Sequence, residues 1–211
     1  MARLLNGIMG GLSGTIGPVI GSSRNGVPYL KSCYNKRKAT NHPMEIANRK
    51  KFADAHAFLH PLLEVVREGF RVEGRSQGFT AAKSWVLKNA FEKQGDNFNL
   101  NPALVKLSIG DLHLPTNITV NSPEPFIFEF NWDASPANRN DSKDQAVLIA
   151  YPIEKAKPIF TLAGAFRCSG TDRLQVKLGD ATTYHLYIWF VSADRSRRSE
   201  SLYLGSGPVT G

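Results

Sequence analysis

The sequence predicts an α+β protein with an N-terminal β-ribbon or arm, a helical pair and a C-terminal antiparallel β-sandwich. Three observations predict this division: seven of the eighteen glycines lie in the first 26 residues, an amphipathic helical pattern follows, and short strand-like runs fill the C-terminal half. The predicted domains are residues 1–44, 45–98 and 99–211. An apolar content of 42% is enough for a packed core and excludes global disorder.

The first zone, residues 1–44, contains two short β-capable runs at residues 15–20 and 27–30. Between them lies Asn25-Gly26, which fits a type I′ turn because both central residues of that turn need positive φ. We therefore predict a two-stranded ribbon around Asn25-Gly26. Such a ribbon is only marginally stable alone, so it must pack against the body or against another chain.

The second zone, residues 45–98, predicts two amphipathic helices. Pro61 interrupts the first helical pattern and predicts a kink, or a junction between two helices, near His60-Pro61. A second helix is predicted over residues 80–93, and a connection of about ten residues favours an antiparallel pair. The apolar stripe of the first pattern consists of Phe52, Ala55, Leu59, Leu62, Leu63, Val66 and Phe70.

The third zone, residues 99–211, predicts seven or eight short strands bounded by turn residues, as in a β-sandwich. Aromatic residues alternate from Phe126 to Trp132, which indicates a half-buried strand. Residues 184–191 are apolar on both faces, as in a central strand. The candidate strands are 103–109, 117–121, 126–132, 146–151, 159–168, 174–178, 184–193 and 201–204.

The C-terminal half resembles the immunoglobulin or fibronectin type III fold. The segment from Asp180 to Tyr184, which enters a long apolar strand, is similar to the tyrosine corner of those folds. The resemblance is partial, because the Cys…Trp…Cys core of antibody domains is absent from the sequence. It implies an immunoglobulin-like sandwich and carries no function by itself.

A distributed set of motifs extends through the first 70 residues. It consists of Ile16-Gly17-Pro18-Val19-Ile20-Gly21-Ser22, the run from Gly26 to Lys31, Asn48-Arg49-Lys50-Lys51-Phe52, and Pro61 ahead of Gly69-Phe70. With these motifs, nearly the whole chain resembles an uncharacterised Bacteroidetes domain family. That resemblance implies a Gly-rich start, helices and a β-rich C-terminal half, and it implies no particular activity.

All of the net charge of +8 lies in the first 51 residues, which hold nine Lys or Arg against the single acid Glu45. These cations would neutralise phosphates, and Tyr29 and Tyr34 would stack on bases. Because no zinc finger, RNP motif or helix-turn-helix pattern accompanies them, a basic adaptor for nucleic acid or another polyanion is the alternative function. The candidate polyanion-binding residues are Arg24, Lys31, Lys36, Arg37, Lys38, Arg49, Lys50 and Lys51.

The leading hypothesis is a non-enzymatic structural protein that self-associates through its Gly-rich arm into a homo-oligomer or filament. Glycines allow two backbones to approach closely. The large aliphatic residues between them indicate a segment that packs against another surface rather than a solvated tail. Such an arm would add strands to an open sheet edge of a neighbouring subunit. The alternative is that the segment is a flexible tail with no docking role. The candidate assembly residues are Leu4, Leu5, Ile8, Met9, Leu12, Ile16, Val19 and Ile20, together with Gly10, Gly14 and Gly17.

The sequence indicates no catalytic residues, cofactor or metal. His56 and His60 have the i, i+4 spacing of two zinc ligands, but no glutamate follows His56 as in H-E-x-x-H. The loop 137–145 carries acidic residues without EF-hand spacing, and the glycine series lacks the Gly-Lys-Ser/Thr of a P-loop. Residues 195–198, with three arginines, are predicted to form an exposed hairpin loop.

The sequence predicts neither a cleaved signal nor a transmembrane segment, because glycines interrupt the hydrophobic stretch that follows Arg3. Cys33 and Cys168 do not resemble a disulfide framework and favour a reducing compartment. The sequence leaves two locations possible, the cytoplasm or an assembly outside the cell that is exported without a classical cleaved signal.

Overall fold

The computed structural model describes residues 3–4, 11–24, 26–34, 42–71, 75–95, 97–134, 142–152, 157–176 and 183–208. The chain divides into two compact units, Met1–Asn41 and His42–Gly211. The described part of the first unit contains only strands, and the second unit combines helices with antiparallel sheets. The predicted α+β class is therefore confirmed, while the division into three domains stays a prediction.

The first unit is a four-stranded antiparallel sheet in the order β1-β2-β3-β4. Its β3 and β4 pair with Arg24 opposite Val27, which confirms a ribbon around Asn25-Gly26. The predicted run 15–20 is wrong as a single strand, because a turn at Gly17-Pro18 divides it between β2 and β3, and the ribbon is part of a four-stranded sheet. Gly26 has the positive φ of +82° that a type I′ turn requires, and Asn25 lies outside the described residues. The strands are β1 (Arg3–Leu4), β2 (Leu12–Ile16), β3 (Val19–Arg24) and β4 (Val27–Ser32).

The helices of the second unit are α1 (Pro43–Leu59), α2 (Leu63–Gly69) and α3 (Arg75–Asn89). A short 3-10 helix at His60–Leu62 joins α1 to α2 and contains Pro61, so the predicted junction is confirmed. Proline fits there because the first turn of a helix leaves its N–H groups without intrahelical partners. Among the described helices, none has both the length and the apolar character needed to cross a membrane.

Two sequence-based predictions about the helical zone are wrong. The second helix ends at Asn89 rather than near residue 93, because β5 (Phe91–Gln94) and β6 (Asn97–Leu100) form a hairpin with Gly95 at φ +59°. Phe52 was expected to point inward, yet it is 55% exposed. Its ring lies 3.4 Å from the ammonium group of Lys83 on α3, so the position is a cation–π contact instead of core.

Seven strands of the second unit form two antiparallel sheets, a four-stranded sheet β10-β9-β12-β13 and a three-stranded sheet β11-β8-β7. The strand predicted at residues 103–109 is wrong, because Pro102–Leu104 forms a 3-10 helix that the Asn101 side chain caps. The strands are β7 (Thr119–Glu124), β8 (Ile127–Asn131), β9 (Gln145–Pro152), β10 (Ile159–Thr161), β11 (Thr171–Gln175), β12 (Thr183–Val191) and β13 (Leu202–Pro208).

The second unit has three layers, with β9 and β12 in the middle. Tyr187 and Trp189 on β12 pack with the helices, whereas Leu186 and Ile188 pack with the three-stranded sheet. Side chains alternate between the two faces of a strand, so β12 needs apolar residues at almost every position. This arrangement confirms the prediction that residues 184–191 form a central strand.

The loop between β12 and β13 is only partly the exposed loop that the sequence predicts. Arg195 lies in the turn with φ +59°, but Arg198 is buried at 7% exposure. Its guanidinium donates to the carbonyl oxygens of Arg71 and Arg195, which follow α2 and β12 respectively. Arg198 therefore braces the loop against the end of the helical layer.

Candidate self-association surface

The structure describes only part of the predicted assembly arm. Leu12 and Ile16 lie on β2, Val19 and Ile20 on β3, and Gly14 and Gly17 on the same hairpin. Leu4 belongs to β1, but its side chain is outside the described structure. The remaining predicted residues, Leu5, Ile8, Met9 and Gly10, lie outside the described residues.

Among the strands of the first unit whose burial is described, β2, β3 and β4, the most exposed is β4, which the sequence-based prediction of assembly residues omitted. All six of its residues are exposed, with Val27 at 66% and Leu30 at 65%. It lies at the end of the sheet order, and no described strand pairs with its outer side. A signal for this was present in the sequence, because Pro28 lies in a β-capable run and proline is confined to edge strands.

The hydrogen-bond pattern shows which main-chain groups of β4 point outward. The N–H of Cys33 donates to the carbonyl of Pro18 at 2.8 Å, and hydrogen-bonded pairs alternate along an antiparallel ladder. The other bonded pairs are Lys31 with Ile20, Tyr29 with Ser22, and Val27 with Arg24. The main-chain groups of Pro28, Leu30 and Ser32 therefore point away from β3. Pro28 costs no ladder bond, since its nitrogen faces outward.

The two faces of the β3–β4 pair differ in chemistry. Val19, Gly21 and Leu30 share one face, and Gly21 is buried because the backbone of Leu12 crosses it. A Cβ at Gly21 would lie 2.1 Å from the carbonyl oxygen of Leu12, so only glycine fits. The close backbone approach that the glycine pattern indicates is thus present, within the unit itself.

The opposite face of the same pair carries two of the candidate polyanion-binding residues. Arg24 and Lys31 are exposed on the face that also presents Tyr29 and Ser22. Lys36, Arg37 and Lys38 lie outside the described residues. Because Val27 is opposite Arg24, this face also presents Val27, 66% exposed, so it combines two cations with one aromatic and one aliphatic side chain.

The candidate cations on α1 are mostly engaged with neighbours in the second unit. Arg49 forms an i, i+4 ion pair with Glu45, and Lys50 is exposed. The ammonium of Lys51 lies 5.1 Å from the ring centroid of Phe91 and 4.7 Å from that of Phe98. Two of these three cations thus already have partners, which reduces their value for binding a polyanion.

The candidate zinc ligands His56 and His60 have ring centroids 5.4 Å apart. Nδ1 of His56 lies 3.4 Å from the ammonium nitrogen of Lys83, whose positive charge opposes a bound cation. Burial lowers the pKa of Lys83 from its ordinary value. Across the described ranges, no three His, Cys, Asp or Glu side chains are grouped to hold a metal ion. The loop 137–145 is described only from residue 142 onward.

A second polar cluster, which the sequence analysis missed, lies on the helix-facing side of the four-stranded sheet. Nδ1 of His185 lies 2.9 Å from the hydroxyl of Tyr203, and the Tyr187 hydroxyl donates to the carbonyl of Pro102 at 2.8 Å. Burial lowers the pKa of His185 and raises the pKa of Tyr151, Tyr187 and Tyr203. All four groups are consequently neutral at pH 7, as a packed polar layer requires.

Among known proteins, the chain matches the model of one protein family. No curated protein and no solved structure matches the chain. The matched region of the family model runs from residue 11 to residue 205, so it includes β2, β3 and β4 as well as the second unit. By this match the chain belongs to a family of unknown function, DUF6266.

Proposed function

We propose that this chain is a non-enzymatic structural protein that self-associates into a homo-oligomer or filament through its N-terminal Gly-rich arm. The observation that carries the proposal is β4, an edge strand whose six residues are all exposed. An exposed edge strand offers a row of unpaired N–H and C=O groups to another chain. Strand addition of this kind supplies affinity through main-chain hydrogen bonds.

The distribution of exposed apolar residues supports the same proposal. The described structure contains twelve large hydrophobic residues that are exposed. Five of them lie within residues 11–34, although this segment is a small part of the chain; they are Ile16, Val27, Tyr29, Leu30 and Tyr34. The second unit, in contrast, buries apolar residues on both faces of its central sheet. The first unit is therefore the part best suited to association.

We also propose that the two sheets of the second unit form an immunoglobulin-like sandwich, which an assembly built through the N-terminal arm would present on its surface. The strand order supports this, because that fold places strands A, B and E on one sheet and C, F and G on the other. Here β7, β8 and β11 correspond to A, B and E, while β9, β12 and β13 correspond to C, F and G. β10 extends the second sheet beside β9. The Bacteroidetes origin implied by the resemblance stays a prediction.

Light scattering on the purified full chain tests the self-association. The full chain is expected to have a molar mass of a dimer or larger, and removal of residues 1–41 or the substitution Leu30→Glu should reduce it to the monomer. Leu104→Glu is the matched control, since Leu104 is a 42% exposed leucine of the second unit. An assembly state that survives removal of residues 1–41 contradicts the proposal.

Polyanion binding is the second candidate function, and the shared face of Arg24, Tyr29 and Lys31 favours it. Anisotropy of a labelled oligonucleotide across a salt series tests it, because each neutralised phosphate releases counterions. Replacing Arg24 and Lys31 by serine should lower the log–log salt slope by about 1 to 2 units. Lys93→Ser is the control for an exposed lysine elsewhere. Binding that does not respond to salt excludes this function.

A further inference from the structure

We propose that β4 pairs antiparallel, edge to edge, with β4 of a second copy of this chain, with Leu30 facing Leu30 of that copy across a two-fold axis. The inference rests on the proposed self-association. It specifies that β4 is the strand that pairs, that a second copy of the chain is its partner, and which residues are opposite each other. β4 is suited to this role because all its residues are exposed and its outer side is open in the described sheet.

The main-chain groups select the register. The outward-pointing residues of β4 are Pro28, Leu30 and Ser32, and only these can form a new ladder. With Leu30 on the axis, Leu30 bonds to its counterpart and the N–H of Ser32 donates to the carbonyl of Pro28 in the second copy. This makes about four main-chain hydrogen bonds. The missing N–H of Pro28 falls at the two ends of the ladder, where water reaches the Ser32 carbonyl.

The side chains favour the same register. With Leu30 on the axis, Lys31 faces Tyr29 of the second copy in a pair without main-chain bonds, which is the closer kind of pair. An ammonium group beside a tyrosine ring is an attractive contact. The two Leu30 side chains, each 65% exposed in the single chain, lie next to each other and cover apolar surface.

The neighbouring registers are each disfavoured. An axis at Lys31 places two lysines directly opposite each other, which destabilises a strand pair. An axis at Tyr29 places Pro28 at the centre of the ladder, where its missing N–H removes central bonds. An axis at Ser32 places Leu30 and Pro28 opposite positions beyond Ser32 of the second copy, where β4 ends, so the two strands overlap only at their ends.

The same residues explain why the occupant is a second copy rather than an arbitrary strand. Proline and lysine on an edge strand hinder pairing with other chains. Pro28 and Lys31 nevertheless both find compatible partners when β4 meets itself in this register. A two-fold contact of this kind is closed, so by itself it yields a dimer. A filament then requires an additional contact elsewhere on the molecule.

Cysteine cross-linking of the full chain tests the register. In a Cys33→Ser and Cys168→Ser background, which removes both free thiols, Leu30→Cys should give mostly disulfide-linked dimer under mild oxidation. Opposed residues of a bonded antiparallel pair have Cα atoms about 5.5 Å apart, within the range a disulfide spans. Lys31→Cys is the matched control and should stay at background alone, but it should cross-link when mixed with Tyr29→Cys.

The outcomes separate this inference from the proposed function. Cross-linking of Lys31→Cys to itself, without cross-linking of Leu30→Cys, overturns the register. Absence of any cross-link in a chain that light scattering shows to be oligomeric overturns the β4 contact and leaves self-association standing. A full chain that is monomeric at every concentration overturns both.

Discussion

At the scale of single residues, the most consequential contact in the second unit is the buried ion pair of Arg167 and Asp144. Both side chains are almost fully buried, and the guanidinium lies 3.1 Å from Oδ2 of Asp144. Arg167 also donates to the carbonyl of His113 at 2.6 Å and lies over the ring of Phe190. These contacts hold a positive charge in the interior of the second unit, next to the core residue Phe190.

Replacement of Asp144 by alanine should lower the free energy of unfolding by about 3–5 kcal/mol, because it leaves Arg167 buried without its carboxylate. Urea denaturation of the two proteins measures the difference. Asp111→Ala, which breaks an exposed ion pair with Arg197, should have little effect. Equal losses of unfolding free energy in Asp144→Ala and Asp111→Ala would show that burial of the Arg167–Asp144 pair does not increase its contribution to stability.

The stability of the second unit should fall as the pH drops below about 6.5, the ordinary pKa of histidine. Burial lowers the pKa of His185, so the unfolded chain binds a proton in a window where the folded chain does not. The free energy of unfolding is therefore highest above pH 6.5, where His185 is neutral in both states, and it decreases on acidification. Denaturation at pH 7.5 and pH 5.5 measures it. His185→Gln should flatten the dependence, and His113→Gln, at an exposed histidine, is the control substitution.

At the scale of elements, local signals were predictable from the sequence and pairing partners were not. The turn at Asn25-Gly26 was found because a type I′ turn depends on two adjacent residues. The end of α3 was missed, because residues 91–94 form a strand only through their pairing with β6. The exposed position of β4 was also missed. Pro28 is compatible with an edge strand but also with a strand start or a bulge, so the edge position follows only from the order of the strands in the sheet.

Gly21→Ala should disrupt the sheet of the first unit. The added Cβ would meet the carbonyl oxygen of Leu12, a backbone atom of β2 at a residue that pairs with Leu4 of β1, so relief of the clash would displace β2. Hydrogen exchange across residues 12–32 should accelerate in this variant. Gly11→Ala is the matched control, because its Cβ would make an ordinary 3.6 Å contact with Pro28. Unchanged exchange in Gly21→Ala would contradict the backbone crossing described above.

At the scale of the whole molecule, the three layers of the second unit depend on two paired strands, β9 and β12, each of which contributes side chains to both cores. The apolar character of β12 on both faces predicted a central position, but the sequence did not say what covers each face. The helical layer and the three-stranded sheet come from segments far apart in the chain. Such contacts depend on the topology of the complete unit, which a local pattern does not specify.

Because both of these cores consist of residues 42–211, that segment should fold cooperatively when it is produced alone. A single thermal transition with native near-ultraviolet circular dichroism from its buried tryptophans is the expected result. Trp132 and Trp189 report on the two sides of the central sheet, since each belongs to a different core. In a Trp85→Phe background, which removes the third tryptophan, the fluorescence of Trp132→Phe and Trp189→Phe variants should therefore show coincident melting. Separate transitions for the two tryptophans would mean that the helical layer and the three-stranded sheet do not stabilise each other through β9 and β12.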